Sequence, residues 1–315
     1  MKIKILDKKA MGEDTPLEIL SELGEITVYD TTKPEELEEH CKDADVLIFN
    51  KIKIGREIIE KSKSLKLICV FATGYDNVDI DAANSNGVAV CNVPGYSTES
   101  VVLFTLATVT ALATKLYEYR NYVTSGEYSN SDSANKLTPV YHEIAGKTWG
   151  IVGYGNIGRA VSRVAEALGA KVLINKRTPS LKENEVDIDT LCKSCDIITV
   201  HCPLNDETRG LINKERLSLM KDSVILVNEA RGAVLSEDDV AAFVKSGKIG
   251  AFGCDVYSSE PFPTDHPFYA IRELPNVILT PHAAWASYEA RERCVKTIAE
   301  NIKSYLKGEK SNRIV

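Results

Sequence analysis

The chain has 315 residues, 44% hydrophobic and 26% charged, the balance of an ordinary globular protein with enough length for two buried cores. Its net charge of −7 argues against nucleic acid or an anionic membrane as a partner, and no apolar run approaches the ~20 residues of a membrane helix. The opening MKIKILDKK is too short an apolar run for a secretory leader, and eight cysteines scattered without a disulfide-like framework point to a reducing, cytoplasmic setting.

Short β-type runs alternate with helical patterns from the first residues onward. Residues 3–6, 26–29, 46–49, 67–71 and 88–91 read as strands, with helices between them. A helix is expected from Thr98 to about residue 119, its apolar stretch Val101 to Leu116 interrupted only by threonines and Lys115. A second strand series follows at 148–152, 171–174, 197–200, 224–227, 250–254 and 277–279. A last long helix should cover 286–306, and the polar residues after Lys307 should fray. Strands alternating with helices imply parallel sheets covered on both faces. The result is an α/β chain with two doubly wound sheets; if the final helix packs on the first sheet, the first domain is discontinuous.

The segment KTWGIVGYGNIGRAV places Gly153, Gly155 and Gly158 in a G-x-G-x-x-G turn, directly after a strand and opening a helix at Asn156. Gly153 allows a tight turn, Gly155 lets backbone approach a pyrophosphate, and Gly158 permits close packing of helix on strand. The helix start then offers unpaired N–H groups to phosphate. At the end of the next strand an NAD site expects a carboxylate, but Asn175 stands there, followed by Lys176 and Arg177. A neutral residue beside two cations would attract a 2′-phosphate, which tilts the cofactor expectation from NAD towards NADP. His201, in His-Cys-Pro-Leu at a strand end, is a candidate for lining the cofactor site.

Three residues follow strands of the second series: Arg231 in VNEARG, Glu260 in DVYSSEP and His282 in LTPH. In an open α/β sheet, ligands bind beyond the carboxyl ends of the strands, so the three can face one cleft. They form a complete set for reducing a 2-keto acid. A guanidinium grips carboxylate and carbonyl oxygens as a fork, an imidazole delivers the proton, and a carboxylate orients it and favours its charged form. Each residue has a bland explanation as a surface turn; their joint occurrence after a dinucleotide motif outweighs it. Cys192 and Cys195 form a lone C-x-x-C pair without a matching second pair, so no metal is expected.

These residues also carry a resemblance. ATGYDNVD at 72–79, NVPGYSTESV at 92–101, GKTWGIVGYGNIG, HCPLNDETRGLIN, VNEARG, DVYSSEP and TPHAAWA occur in an order similar to that of the D-isomer-specific 2-hydroxyacid dehydrogenase family. The resemblance spans essentially the whole chain. It implies a Rossmann cofactor domain, residues 100–285, inserted into a flavodoxin-like substrate domain, residues 1–99 and 286–315. It implies that Arg231 binds substrate, that Glu260 supports His282 as acid/base, and that Ala72, Thr73 and Gly74 present N–H groups to the substrate carboxylate. Thr98, Ile157, Pro203, Ala230 and Asp255 would contact the cofactor, Asp255 near the nicotinamide amide. A homodimer formed largely by the cofactor domain, and closure of the cleft on binding, are implied as well.

YSTESV and TPHAAWASYEAR look most like the glycerate dehydrogenase/hydroxypyruvate reductase branch. In that branch Trp285 would wall the substrate pocket, with interdomain packing as its other reading. The expected reaction moves a hydride between NAD(P)H and hydroxypyruvate or glyoxylate. D-lactate or another aliphatic 2-hydroxy acid is the enzymatic alternative, and a cofactor-sensing binding protein is the alternative of another class.

Overall fold

Runs of Val, Ile and Leu without polar alternation become parallel strands buried on both faces. The computed structural model describes residues 1–178, 180 and 182–315. It comprises two compact units, Met1–Ser97 with Ala286–Val315, and Thr98–Trp285.

The first unit is built on β1 (Lys2–Ile5), β2 (Glu25–Val28), β3 (Val46–Phe49), β4 (Leu67–Val70) and β5 (Ala89–Cys91), all parallel, in the order β2-β1-β3-β4-β5. That is the flavodoxin-like order. Every residue of β3, β4 and β5 is buried, whereas edge strand β2 is largely exposed. The C-terminal helix Tyr288–Leu306 returns to pack against β4. The residues after it do not fray as expected. Ile314 N–H donates to the Val90 carbonyl at 2.8 Å, Arg313 pairs antiparallel with Cys91, and Ile314 and Val315 join the apolar cluster beside β5. An open strand edge offers unpaired N–H and C=O groups, and two terminal apolar residues suffice to fasten the tail there.

The second unit carries β6 (Thr148–Val152), β7 (Lys171–Asn175), β8 (Ile197–Val200), β9 (Val224–Asn228), β10 (Ile249–Cys254) and β11 (Val277–Leu279), all parallel, in the order β11-β10-β9-β8-β6-β7. Beyond β7, Glu185 makes a single parallel bridge to Ile174, a vestige of the third strand of a Rossmann sheet. The chain then crosses back to form β8 on the other side of β6. That reversal is the switch point at which such sheets bind ligands.

The helix expected over 98–119 is two helices, Thr98–Thr114 and Leu116–Thr124, bent by 67°. Thr110 and Thr114 donate to carbonyls four residues back, which competes with the helix ladder, and Lys115 leaves the helix at φ +55°.

Candidate active site

The glycine turn lies at the carboxyl end of β6. A Cβ on Gly158 would collide with the Gly153 carbonyl oxygen, so only glycine lets the helix Asn156–Ala167 sit this close to the strand. Gly153 turns at φ +92°, and a Cβ there would come within 2.5 Å of the Cys202 nitrogen. Gly155 is different: a Cβ there would meet nothing within 4 Å. The backbone at Gly155 thus borders open space, which is what a pyrophosphate needs. Asn156 begins the helix exposed, its Oδ1 accepting from Arg159 at 2.7 Å, and Ile157 is half-buried behind it.

His201 follows β8, against this turn. Neither of its ring nitrogens, both buried, has a hydrogen-bond partner, and burial pushes the imidazole down to about 3. Two orphaned buried nitrogens beside an open glycine turn suit a dinucleotide whose polar groups satisfy them. Pro203 is exposed just beyond, and its carbonyl accepts from Thr208.

The end of β7 departs from the charge reading of the sequence. Lys176 is not a spare cation: its ammonium lies 2.6 Å from Glu185 Oε1 and 2.8 Å from Ser180 Oγ. The Lys176 and Ser180 bonds outweigh desolvation and hold the Glu185 carboxyl down at about 2. Asn175 uses its amide to donate to the Val186 carbonyl, while Arg177 stays exposed. A carboxylate thus stands beside Lys176, ten residues after Asn175.

Arg231, Glu260 and His282 follow β9, β10 and β11, three neighbouring strands, at one edge of the sheet. His282 Nδ1 lies 2.6 Å from Glu260 Oε2, and Glu260 Oε1 accepts the Tyr257 N–H at 3.1 Å. The carboxylate is thereby fixed at one oxygen and fixes the imidazole by Nδ1 with the other. His282 sits at φ +54°, a backbone conformation that costs an ordinary side chain free energy and recurs at working sites. Asp255 makes that conformation hold. Its Oδ1 accepts from Thr280 Oγ1 (2.6 Å) and the Ala283 N–H (2.8 Å), and its Oδ2 accepts from the Ala284 N–H (2.9 Å). Asp255, placed beside the nicotinamide amide by the resemblance, is here buried and bound to the histidine loop.

Arg231 is half-buried, one Nη donating to the Ala230 carbonyl at 2.8 Å. Asn228 pins its turn: Asn228 Oδ1 takes the Ala230 N–H, and Asn228 Nδ2 donates to the Arg231 carbonyl. Tyr257 donates its hydroxyl to the Thr280 carbonyl at 2.8 Å, stapling the Glu260 loop to the His282 loop. Trp285 is half-buried three residues after His282, and Thr98 opens the Thr98–Thr114 helix. In the first unit, the carbonyls of Ala72 and Thr73 accept from Val93 N–H and Asn92 Nδ2, and Gly74 follows them in the turn after β4. Cys192 and Cys195 are buried core thiols, pushed up to about 12 by burial.

Asn228, Tyr257, Thr280 and Glu185 escaped the sequence reading. An Asn ending an apolar strand was a signal for the first; the others depend on partners far along the chain.

Residues 106–284 match the model of the D-isomer specific 2-hydroxyacid dehydrogenase NAD binding domain. The chain belongs to the D-isomer-specific 2-hydroxyacid dehydrogenase family. It is 38% identical to a hydroxypyruvate reductase of Blautia hydrogenotrophica and 35% identical to a glycerate dehydrogenase of Methylorubrum extorquens, the matches covering 99% of this chain and 99% and 98% of those relatives. Among solved structures it superposes on an acyclic imino acid reductase in complex with NADPH and D-Arg, with a TM-score of 0.89 and 31% identity over the full length of both chains. As a D-2-hydroxyacid dehydrogenase the protein is an oxidoreductase acting on a CH–OH group, and its cofactor is a nicotinamide dinucleotide.

Proposed function

We propose that this dehydrogenase reduces hydroxypyruvate or glyoxylate to D-glycerate or glycolate. The observation that carries the reading is the Glu260–His282 pair at 2.6 Å, with Arg231 after the neighbouring strand. The names of the two relatives supply the substrate class. Arg231 receives the substrate's carboxylate and carbonyl oxygens in its fork, drawing electrons from the carbonyl. His282 gives the proton on Nε2 to the carbonyl oxygen, and Glu260 provides the counter-charge while the ring is protonated. A reduced nicotinamide dinucleotide, its pyrophosphate held at the glycine turn, would supply the hydride. In the reverse direction His282 takes the hydroxyl proton.

For the cofactor we favour NADPH. Asn175 lacks the carboxylate that would bind a ribose 2′-hydroxyl, and Arg177 is free to meet a phosphate, while Glu185 beside Lys176 acts in the opposite sense. A homodimer is the favoured assembly. Leu116, Tyr117 and Val123 on the bent helix, with Leu137, Val140 and Tyr141 after it, form an exposed apolar set of the kind a partner covers.

A panel of 2-keto acids assayed with NADH and NADPH tests the reading. Hydroxypyruvate and glyoxylate should give higher kcat/KM than pyruvate and branched keto acids. Pyruvate as the best substrate would replace the proposal with a D-lactate dehydrogenase.

A further inference from the structure

Glu229, between the strand-ending Asn228 and the Ala230–Arg231 turn, is a buried carboxyl with no part in the chemistry above. Two hydroxyls of the Thr98–Thr114 helix reach it: Thr105 Oγ1 lies 2.5 Å from Oε2, and Thr108 Oγ1 lies 3.3 Å from Oε1. Thr105 Oγ1 also lies 2.8 Å from the Val101 carbonyl oxygen, which can only accept. A hydroxyl has one proton. If Thr105 gives it to Val101, the short contact to Glu229 needs a proton on the carboxyl. The count then closes: Oε2–H donates to Thr105, Thr105 donates to Val101, and Thr108 donates to Oε1.

We propose that Glu229 is a positioning residue, its protonated carboxyl locking the Thr98–Thr114 helix to the turn that carries Arg231. The proposal rests on the roles given above to Arg231 and His282. The same helix also holds the histidine loop: Ser100 Oγ donates to the Ala284 carbonyl at 2.7 Å, and Ala284 N–H donates to Asp255. One helix thus braces both halves of the site. Its seat on the sheet is close, since a Cβ on Gly253 of β10 would strike the Thr108 methyl group. Burial pushes the Glu229 carboxyl up to about 8, against the lowering pull of its threonine bonds.

The neighbours make ionisation disruptive. Asp255 and the Cys254 thiol face it from the end of β10, His282 lies on the loop bound to Asp255, and Arg231 is two residues along. Within the Thr98–Thr114 helix the charged side chain is Glu99, which is exposed. A carboxylate at 229 repels Asp255 and withdraws the proton from the bond to Thr105, so the helix loses its tie.

The test is the pH profile of kcat/KM for D-glycerate oxidation. Wild type should fall above about pH 8 as Glu229 ionises. E229Q, whose amide donates to Thr105 and accepts from Thr108 without ionising, should lose the fall. E229A, with the tie removed, should lose ~10- to 100-fold in kcat/KM at every pH, the usual scale for a displaced active-site group. An unchanged alkaline fall in E229Q overturns the proposal. Carbon-13 spectra of wild type labelled at the glutamate carboxyls give a second readout independent of folding variants and substrate. One glutamate should still be protonated at neutral pH; ordinary titration of all of them also overturns it. Wild type inert towards D-glycerate defeats the substrate reading instead, and the carboxyl titration then decides for Glu229 alone.

Discussion

Glu260 holds His282 by Nδ1 at 2.6 Å while its second oxygen is held by Tyr257 N–H, so the imidazole's tautomer and direction are set by a carboxylate that is itself fixed. H282A should cut kcat by ~10²-fold or more, the usual acid–base contribution, while nicotinamide fluorescence still reports cofactor binding. E260Q should be milder. It removes the charge and leaves one oxygen for two N–H donors, a loss of about tenfold or more in kcat for the ~1.4 kcal/mol by which a charge-assisted bond exceeds a neutral one. Near-normal turnover in H282A would remove the histidine from the chemistry.

Arg231→Lys keeps the charge and loses the fork. Steady-state kinetics should show kcat/KM down by ~10²-fold, the scale of losing one oriented donor at the reacting carbonyl. A variant with unaltered keto-acid kinetics would place the substrate elsewhere.

Two glycines three residues apart should respond in opposite ways. Gly158→Ala drives a Cβ into the Gly153 carbonyl and should cost ~2 kcal/mol or more of folding stability, seen as a lower Tm. Gly155→Ala meets no protein atom and its backbone sits at φ −78°, so Tm should hold. Its methyl group takes the room meant for phosphate, and titration with NADPH should show a Kd raised ~10-fold or more, a loss of ~1.4 kcal/mol. Unchanged NADPH affinity would mean the dinucleotide does not approach this turn.

Cofactor choice should turn on Glu185. E185Q removes the counter-charge 2.6 Å from Lys176 and should move the ratio of kcat/KM values towards NADPH; K176A should move it towards NADH. Equal ratios in all three proteins would show that the 2′-position lies out of reach of the pair.

Glu229 also predicts how stability changes with pH. Its carboxyl sits at about 8 in the folded chain against 4.5 as an ordinary value. Between those two points the folded chain keeps a proton that the unfolded chain has released, so raising the pH favours unfolding. E229Q has no such proton. The Tm of E229Q minus that of wild type should therefore grow from about pH 5 to about pH 8 and level off above. A difference that stays flat would argue for an ordinary, ionised glutamate.

Much of this was legible in the sequence because its signals are local. A strand buried on both faces must be an apolar run, so β3 and β4 announce themselves. The glycine turn is a matter of spacing, and the three site residues each follow a strand. The rest depends on partners brought together only by folding. Lys176 read as a free cation because Glu185 lies in a stretch with no strand pattern. The tail read as frayed because its pairing with β5 joins residues more than two hundred positions apart. The break at Lys115 was hidden because a lysine carries none of glycine's warning of a left-handed turn, while the threonine bonds that weaken the preceding turn look like ordinary helix surface.

The positive φ at His282 sets heat resistance against catalysis at a single position. Glycine or asparagine would rest there with less backbone strain, so a library screened only for survival of heating would accumulate them and discard the imidazole. Selection for a hardier enzyme from this scaffold must therefore score turnover alongside melting, or leave this codon fixed.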